Sequence, residues 1–266
     1  MSRIVLDRPV DHVARLSMND PAGRNALDDE VRAAMAAHLV ELYRDDTVRA
    51  IVIGSSGRNF CTGGDLKAVS GHAAGQPAHA VMRRVNELAR VIDASPKPFV
   101  AAVGGHCIGA GAGLALMCDV VVAGKSARIG FPFLGVGVVA DFGLSWSLPR
   151  RMGVQAARRA LIEALSFAGD DAARAGLFDY VCEDDALAAA AVARAQALAQ
   201  APANALMLMR QMLKDPPHSL VAALDLEALN QAMCFGSDEL REGLAAFAAK
   251  RRPDFIAAGR RADPAA

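Results

Sequence analysis

Apolar residues fall into two kinds of run along the first part of the chain. Residues 4–6 and Val13–Met18 read as a pair of strands, and short apolar runs at 48–53, Phe99–Val103 and 120–122 predict further strands, those at 48–53 and Phe99–Val103 buried. Between them apolar positions recur at helical spacing. Val31, Met35, Leu39 and Leu42 make one such face, and Val81, Val85, Leu88 and Ile92 make a second. Asp28 is placed to cap the first helix, with Asp29 and Glu30 favourable in its first turn. Residues 21–23 read as a turn, residues 54–64 as a Gly/Ser-rich loop, and Pro96 and Pro98 as the stop of the second helix. A Gly-rich turn then opens a helix over 110–117. From about residue 141 the pattern is largely helical, with helices expected over 154–165, 184–201, 203–213, 220–233 and 239–250. Alternating strands and helices followed by helices alone predict an α/β core, set at 1–200, and a C-terminal helical region, 201–266.

Composition narrows the picture. The 266 residues suit one large domain, or one domain with an appendage. With 53% apolar and only 5% aromatic residues, a sizeable core is built from Ala, Val, Leu, Ile and Met. Basic and acidic residues balance at 29 each, which argues against partners such as nucleic acid or a membrane surface. The arginine pairs at 150–151, 158–159, 251–252 and 260–261 read as solvated faces, and as candidates for a phosphate-bearing ligand. Five cysteines (Cys61, Cys107, Cys118, Cys182 and Cys234) lie in apolar runs without a C-x-x-C pair, so buried reduced thiols and a cytoplasmic location are expected. Residues 1–11 lack the apolar core of a signal peptide. Residues 99–118 carry no formal charge, but their glycines and Pro98 favour a buried strand, turn and helix over a membrane span.

Several motifs fail on inspection. Gly124-Lys125-Ser126 resembles the end of a phosphate-binding loop, yet Asp119 stands where its first glycine is required. Gly109, Gly111 and Gly113 suggest a dinucleotide fingerprint, yet Leu114 stands where its last glycine is required. No cluster has metal-site spacing, and no G-x-S-x-G elbow is present. Two strand-to-turn junctions remain, at residues 50–66 and 99–114. Each places small residues where backbone N–H groups can be exposed, the second at a helix N-terminus. An anion or oxyanion site and simple close packing of strand on helix both account for them.

Taken in order, Arg24-Asn25-Ala26-Leu27, Phe60-Cys61-Thr62-Gly63-Gly64-Asp65-Leu66, Pro96-Lys97-Pro98, the turn through Asp119, Leu148-Pro149-Arg150, the runs 172–177 and 246–255 resemble the crotonase family, the enoyl-CoA hydratase/isomerase superfamily. The resemblance runs along nearly the whole chain. It implies a crotonase-like spiral of ββα units with C-terminal helices that support a homotrimer or a hexamer made of two trimers. It implies an acyl-CoA substrate, with coenzyme A as part of the thioester and no permanently bound cofactor. An oxyanion hole is matched to the N–H groups of Gly64 and Ala110. Such donors stabilise a thioester enolate more than the neutral carbonyl, and each is worth about 3 kcal/mol of barrier. Coenzyme A contacts are matched to Arg24, Ala26, Gly64, Asp65, Leu66, Phe247 and Lys250.

The chain departs from the family hydratases at both catalytic glutamates, which match Gly113 and Phe133. A different carboxylate, Asp141, stands where a subset of relatives has a catalytic Pro-Asp-x-Gly turn, a subset that resembles the isomerases of phenylacetate degradation. Among Phe131, Phe133, Val138, Val139 and Phe142 its pKa is expected to rise, which suits a single acid/base that moves one proton. The competing reading is a helix cap at Asp141. His106, Phe133, Val138 and Trp146 are candidates for the acyl pocket, His106 also for plain packing and Trp146 for the core. Asp65 and Asp119 read as turn-holding residues. An enoyl-CoA isomerase is the leading function. The alternatives are a hydratase with atypical acid/base residues, an aspartate-nucleophile dehalogenase or hydrolase, and a coenzyme A-binding or RNA-binding protein without catalysis.

Overall fold

Strands β1 (Ile4–Val10) and β2 (Val13–Met18) pair antiparallel and lead into α1 (Asp29–Arg44). Strand β3 (Ala50–Ser55) runs parallel to β2, and α2 (Ala78–Asp93) follows it. Next comes β4 (Phe99–Val103), parallel to β3, then a three-residue strand β5 (His106–Ile108) and α3 (Ala110–Leu116). The pattern repeats with β6 (Val120–Gly124), parallel to β4, and the short β7 (Arg128–Gly130). Helices α4 (Leu144–Met152) and α5 (Val154–Ile162), strand β8 (Ser166–Ala168) and helix α6 (Gly169–Arg174) lead to β9 (Tyr180–Cys182), parallel to β6.

The long strands make one sheet in the order β1-β2-β3-β4-β6-β9, and the short ones make a second, β5-β7-β8. Cys61 joins the second sheet through a bridge to Cys107. Successive turns of chain therefore add one long strand to the first sheet, one short pairing to the second, and then a helix. This is the spiral of ββα units. The computed structural model describes residues 2–22, 24–64 and 78–260, and the chain divides into two compact units, Met1–Gln196 and Ala197–Ala266.

The first unit holds the main core. Residues 50–54 of β3 are all buried, as expected for a parallel strand covered on both faces. Leu16, Ile51, Ile53 and Phe99 of the sheet belong to one cluster with Met35 and Leu39 of α1 and Leu88 and Ile92 of α2. Asp28 caps α1 as expected, its carboxylate accepting from Val31 N–H at 2.9 Å. At the other end Lys97 Nζ donates to the Leu42 and Asp45 carbonyls, each at 2.6 Å, closing the helix C-terminus.

In the second unit, α8 (Ala203–Lys214), α9 (Leu220–Phe235), α10 (Asp238–Ala248) and α11 (Phe255–Arg260) follow α7 (Leu187–Ala199), which spans the boundary. Buried Glu239 accepts from Ala203 N–H at 2.6 Å, and so caps α8 where Pro202 offers no side chain of its own. No helix among the described residues is long and apolar enough to cross a membrane.

Three expectations change. The three-residue strands β5, β7, β8 and β9 carry too few positions for an alternation to show. The helix expected over 154–165 stops at Ile162, because Ala164 takes a positive φ of 52° and the chain turns into β8. The helix over 184–201 opens with a 3-10 turn at Asp184–Ala186 and ends at Ala199. The stretch after residue 141 is largely helical as expected, with α4 beginning at Leu144 and the three-residue strands β8 and β9 set among the helices.

Candidate active site

Backbone pairing fixes the turn at 60–64 before any side chain is considered. Cys61 N–H donates to the His106 carbonyl at 2.9 Å, Ile108 N–H donates back to Cys61 at 2.9 Å, and Leu27 N–H donates to Gly63 at 2.8 Å. Gly63 has φ +94°, and a Cβ there would lie 2.9 Å from the Ile108 carbonyl, so no other residue fits. The same Cβ would lie 3.6 Å from Ala110 N, which brings the turn against the start of α3. Among the described residues no acceptor faces the N–H of Gly64 or of Ala110. Two donors left unpaired beside one another are what an oxyanion needs.

The remaining glycines of the motif serve packing. A Cβ on Gly111 would lie 2.7 Å from the Cys61 carbonyl and 2.8 Å from its Sγ. On Gly113 it would meet the Phe142 carbonyl at 2.7 Å and the Phe142 Cβ at 2.8 Å. The two explanations of the Gly-rich turn thus apply to different residues. The space where family hydratases carry their first glutamate is occupied here by the backbone that follows Asp141.

Asp141 does not cap α4. The capping position is Gly143, and no side-chain hydrogen bond forms there. Phe142 is held at φ 49° and Gly143 at φ 74°, a rare pair that turns the chain sharply after the aspartate. The Asp141 Oδ1 atom is shielded from solvent and has no hydrogen-bond partner. Burial pushes this carboxyl above the usual carboxylate range, against the opposing pull of the Arg32 guanidinium and of its own backbone N–H.

One cavity of about 1450 Å³ brings together Gly64, Ala110, Phe133, Val138, Asp141 and Trp146, and also Arg24 and Ala26. Trp146 is half-exposed, with the Arg150 guanidinium stacked 3.1 Å from its ring centre. His106 is not brought into the cavity. It sits exposed on β5, and strand alternation turns the neighbouring Cys107 inward and His106 out. Asp65 and Leu66 lie outside the described residues. In the second unit Phe247 is 85% exposed, and Lys250 ends α10 at a positive φ of 52°. Asp119 holds a turn, accepting from Phe99 N–H at 2.7 Å. Cys61, Cys107 and Cys118 are buried, and burial pushes the Cys61 thiol up to about 12, where it is inert.

Sequence reasoning passed over Asn25. It is fully buried at φ 56°, its Oδ1 accepts from Asp20 N–H at 2.8 Å, and its Nδ2 donates to the Ser56 and Asn59 carbonyls. It pins Arg24 and Ala26 to the loop after β3. A buried Asn beside a turn was the available signal.

The Asp141 environment has a consequence for stability. As pH rises past the ordinary carboxylate value of 3.8, the unfolded chain ionises before the folded one, and folding loses free energy until Asp141 ionises too. Asp141→Asn removes that loss. The variant is expected to be more stable than the parent at neutral pH by on the order of 1 kcal/mol, with the difference vanishing toward about pH 3. Thermal melts at both pH values check this, and a destabilised variant at neutral pH contradicts it.

A family model described as enoyl-CoA hydratase/isomerase matches residues 10–258. The chain is 34% identical over 259 residues to the 1,2-epoxyphenylacetyl-CoA isomerase of Escherichia coli K12, covering 96% of this chain and 99% of that protein. It is 32% identical over 256 residues to the 2,3-dehydroadipyl-CoA hydratase of the same organism, covering 96% and 99%. The solved enoyl-CoA hydratase/isomerase of Cupriavidus metallidurans CH34 superposes with a TM-score of 0.90 at 30% identity, over 96% of each chain. With its ββα spiral and its paired backbone donors, the chain belongs to the enoyl-CoA hydratase/isomerase family.

Proposed function

We propose that this protein is a cytoplasmic enoyl-CoA isomerase in which Asp141 carries the proton and the N–H groups of Gly64 and Ala110 bind the thioester oxygen. One observation carries the reading: a carboxyl with a buried, unpartnered oxygen and a raised pKa shares a cavity with two unpaired backbone donors. Asp141 takes the proton from the carbon next to the thioester carbonyl. The electron pair passes to the carbonyl oxygen, and the enolate sits on the two N–H groups. The same carboxyl returns the proton two carbons further along, and the double bond moves into conjugation. One group suffices because acceptance and return occur on the same face. A raised pKa suits both halves of that transfer.

Arg24 and Ala26, in the same cavity as Gly64, are proposed to bind the coenzyme A moiety; Asp65, Leu66, Phe247 and Lys250 are kept as proposed contacts to it on the family resemblance alone. Hydration, the reaction named for several relatives, calls on a second acid/base. The packing of Phe142 against Gly113 and the apolar Phe133 support the single-acid route instead.

The reading includes a homotrimer or a hexamer. Helix α9 has no buried residue although Leu220, Val221, Leu224, Leu229, Met233 and Phe235 lie along it, more exposed apolar surface than a lone chain ordinarily carries. Further copies of the chain are the proposed cover. Analytical ultracentrifugation is expected to give three or six chain masses, and a monomer at micromolar concentration rules the assembly out.

The activity test is a spectrophotometric panel with 3-enoyl-CoA and 2-enoyl-CoA thioesters of several lengths. We expect 3-enoyl substrate to become 2-enoyl product, and Asp141→Asn to lose roughly 10³-fold or more in kcat. Addition of water to 2-enoyl-CoA without isomerisation, or an unimpaired Asp141→Asn variant, sinks the reading. Gly113→Ala tests the packing argument. Its Cβ displaces the Asp141 turn, so kcat is expected to fall roughly 10²-fold while KM changes little. Unchanged kcat means that the turn yields without cost.

A further inference from the structure

Arg3 stands just before β1 in the cavity wall, and its guanidinium ties together two residues far from it in the chain. Nη1 donates to Asp28 Oδ2 at 2.6 Å, and Nη2 donates to Asp20 Oδ2 at 2.8 Å. The carboxylate of Glu30 lies further out, 3.4 Å from Nη1. The base of the side chain is held as well. Asn19 N–H donates to the Arg3 carbonyl at 2.7 Å, and Ser56 Oγ donates to Asn19 Oδ1 at 2.7 Å. An isolated surface ion pair contributes little to stability. Here one anchored guanidinium is shared by two carboxylates, and the three side chains are only 28%, 26% and 27% exposed for Arg3, Asp28 and Asp20.

Asp20 and Asp28 flank Arg24, Asn25 and Ala26 in the chain. Arg24 and Asn25 both sit at positive φ, 57° and 56°. Residues other than glycine keep that conformation only where the surroundings enforce it. From within, Asn25 supplies hydrogen bonds to Asp20, Ser56 and Asn59. From without, Arg3 fixes both flanks. Asp28 divides its carboxylate between two tasks, with Oδ1 capping α1 and Oδ2 accepting from Arg3. The segment also lies against the donor turn: Leu27 N–H donates to the Gly63 carbonyl at 2.8 Å, and Thr62 N–H to the Arg24 carbonyl at 3.3 Å. A thioester whose oxygen rests on Gly64 N–H therefore leads its pantetheine arm past Arg24 and Ala26.

We propose that Arg3 is a positioning residue for the coenzyme A arm: by holding Asp20 and Asp28 together it keeps Arg24, Asn25 and Ala26 in the shape that meets the ligand. The inference rests on the proposed contact of Arg24 and Ala26 with coenzyme A. A segment ordered in advance loses little freedom when the ligand arrives, whereas a released one must be ordered by the ligand at a cost in affinity. The effect falls on binding and not on proton transfer. The donor turn has its own anchors, Cys61 N–H to the His106 carbonyl and Ile108 N–H to the Cys61 carbonyl, and Asp141 stands on a separate turn.

The experiment compares wild type with Arg3→Met, Arg3→Lys and Asp20→Asn. Coenzyme A is titrated calorimetrically. The constants kcat and KM are measured with 3-enoyl-CoA and with the 3-enoyl thioester of pantetheine, which carries neither phosphate nor nucleotide. Arg3→Met is expected to weaken coenzyme A binding and to raise KM for both thioesters roughly tenfold, with kcat changed by less than about twofold. Arg3→Lys keeps the charge but not the fork that reaches two carboxylates, and is expected to fall between wild type and Arg3→Met. Asp20→Asn releases one flank and leaves the cap of α1 intact. It is expected to raise KM in the same direction, and it serves where Arg3→Met does not fold.

Unchanged binding and KM in Arg3→Met and Asp20→Asn overturn the proposal. So does a lower kcat at unchanged KM, because a simple loss of folded enzyme gives that result. A rise in KM confined to 3-enoyl-CoA overturns it as well, since it marks direct contact between Arg3 and the phosphates. If the wild-type protein itself does not bind coenzyme A, the reading of the cavity fails first, and the role of Arg3 falls with it. If it binds coenzyme A but moves no double bond, the calorimetric comparison still decides the role of Arg3.

Discussion

Helix α3 is approached so closely on two sides that neither Gly111 nor Gly113 can carry a Cβ. The Cys61 carbonyl would stand 2.7 Å from one and the Phe142 carbonyl 2.7 Å from the other. These contacts press two separate loops onto one seven-residue helix. Cys61 belongs to the turn that presents Gly64, and Phe142 belongs to the turn that presents Asp141. The helix itself begins at Ala110, the second donor. Relative placement of donors and acid is therefore set by backbone packing against a single short element. Packing of this kind resists displacement, because a shift of a few tenths of an ångström either opens a void or forces a clash. Seven residues make a weak dipole, so fixed donors rather than the helix field carry the electrostatics of the site.

The stability of the site is unevenly distributed. Around the donors the turn is held by paired backbone groups at Cys61, Gly63 and Ile108, and the thiol of Cys61 is buried and inert. Around the acid the opposite holds: Phe142 sits at positive φ, and Oδ1 of Asp141 finds no partner. Strain and missing hydrogen bonds of this kind weaken folding and persist where a function needs the group so placed. Since the donors are main-chain groups, substitution at Ala110 leaves them intact. The acid is a single side chain, and a substitution at Asp141 removes it outright.

What was legible in the sequence follows from the physics of each element. Strands β2 and β4 emerge at the bounds read from the sequence: β2 alternates buried apolar positions with Arg15 and Ser17, and β4, a central parallel strand, is apolar at every position. Strands β5, β7 and β8 were invisible. Three residues cannot display a period, and their pairing is main-chain work that any side chain permits. The cap reading of Asp141 was reasonable from Asp-Phe-Gly-Leu-Ser and fails for a local reason: Gly143 at φ 74° starts α4 two residues later. His106 was placed beside the oxyanion turn correctly in sequence but on the wrong side of the strand, since a one-residue offset in a strand reverses the face. Asn25 escaped because its importance lies in what it holds, and no periodicity or motif records that.

The placement of the acid bears on which chemistry the scaffold can host. A glutamate at position 113 would project from the helix into the volume that the Phe142 backbone now fills. An aspartate at 141 needs that backbone where it is, because the reversal at Phe142 and Gly143 is what turns the carboxyl into the cavity wall. The two arrangements are therefore alternatives in space and cannot be combined by adding one residue to the other. A chain that keeps glycine at 113 has given up the geometry in which water is activated from α3. In return it gains a carboxyl in apolar surroundings, where a proton can be taken from one carbon and delivered to another without exchange with bulk water. Hydration needs a poised water molecule and a second acid, whereas proton migration needs their exclusion. Phe133 and Phe142, both buried and both in the cavity wall with the acid, contribute to that exclusion. Steric constraint at one glycine and the apolar side chains around the acid thus favour the same class of reaction, and they do so independently of each other.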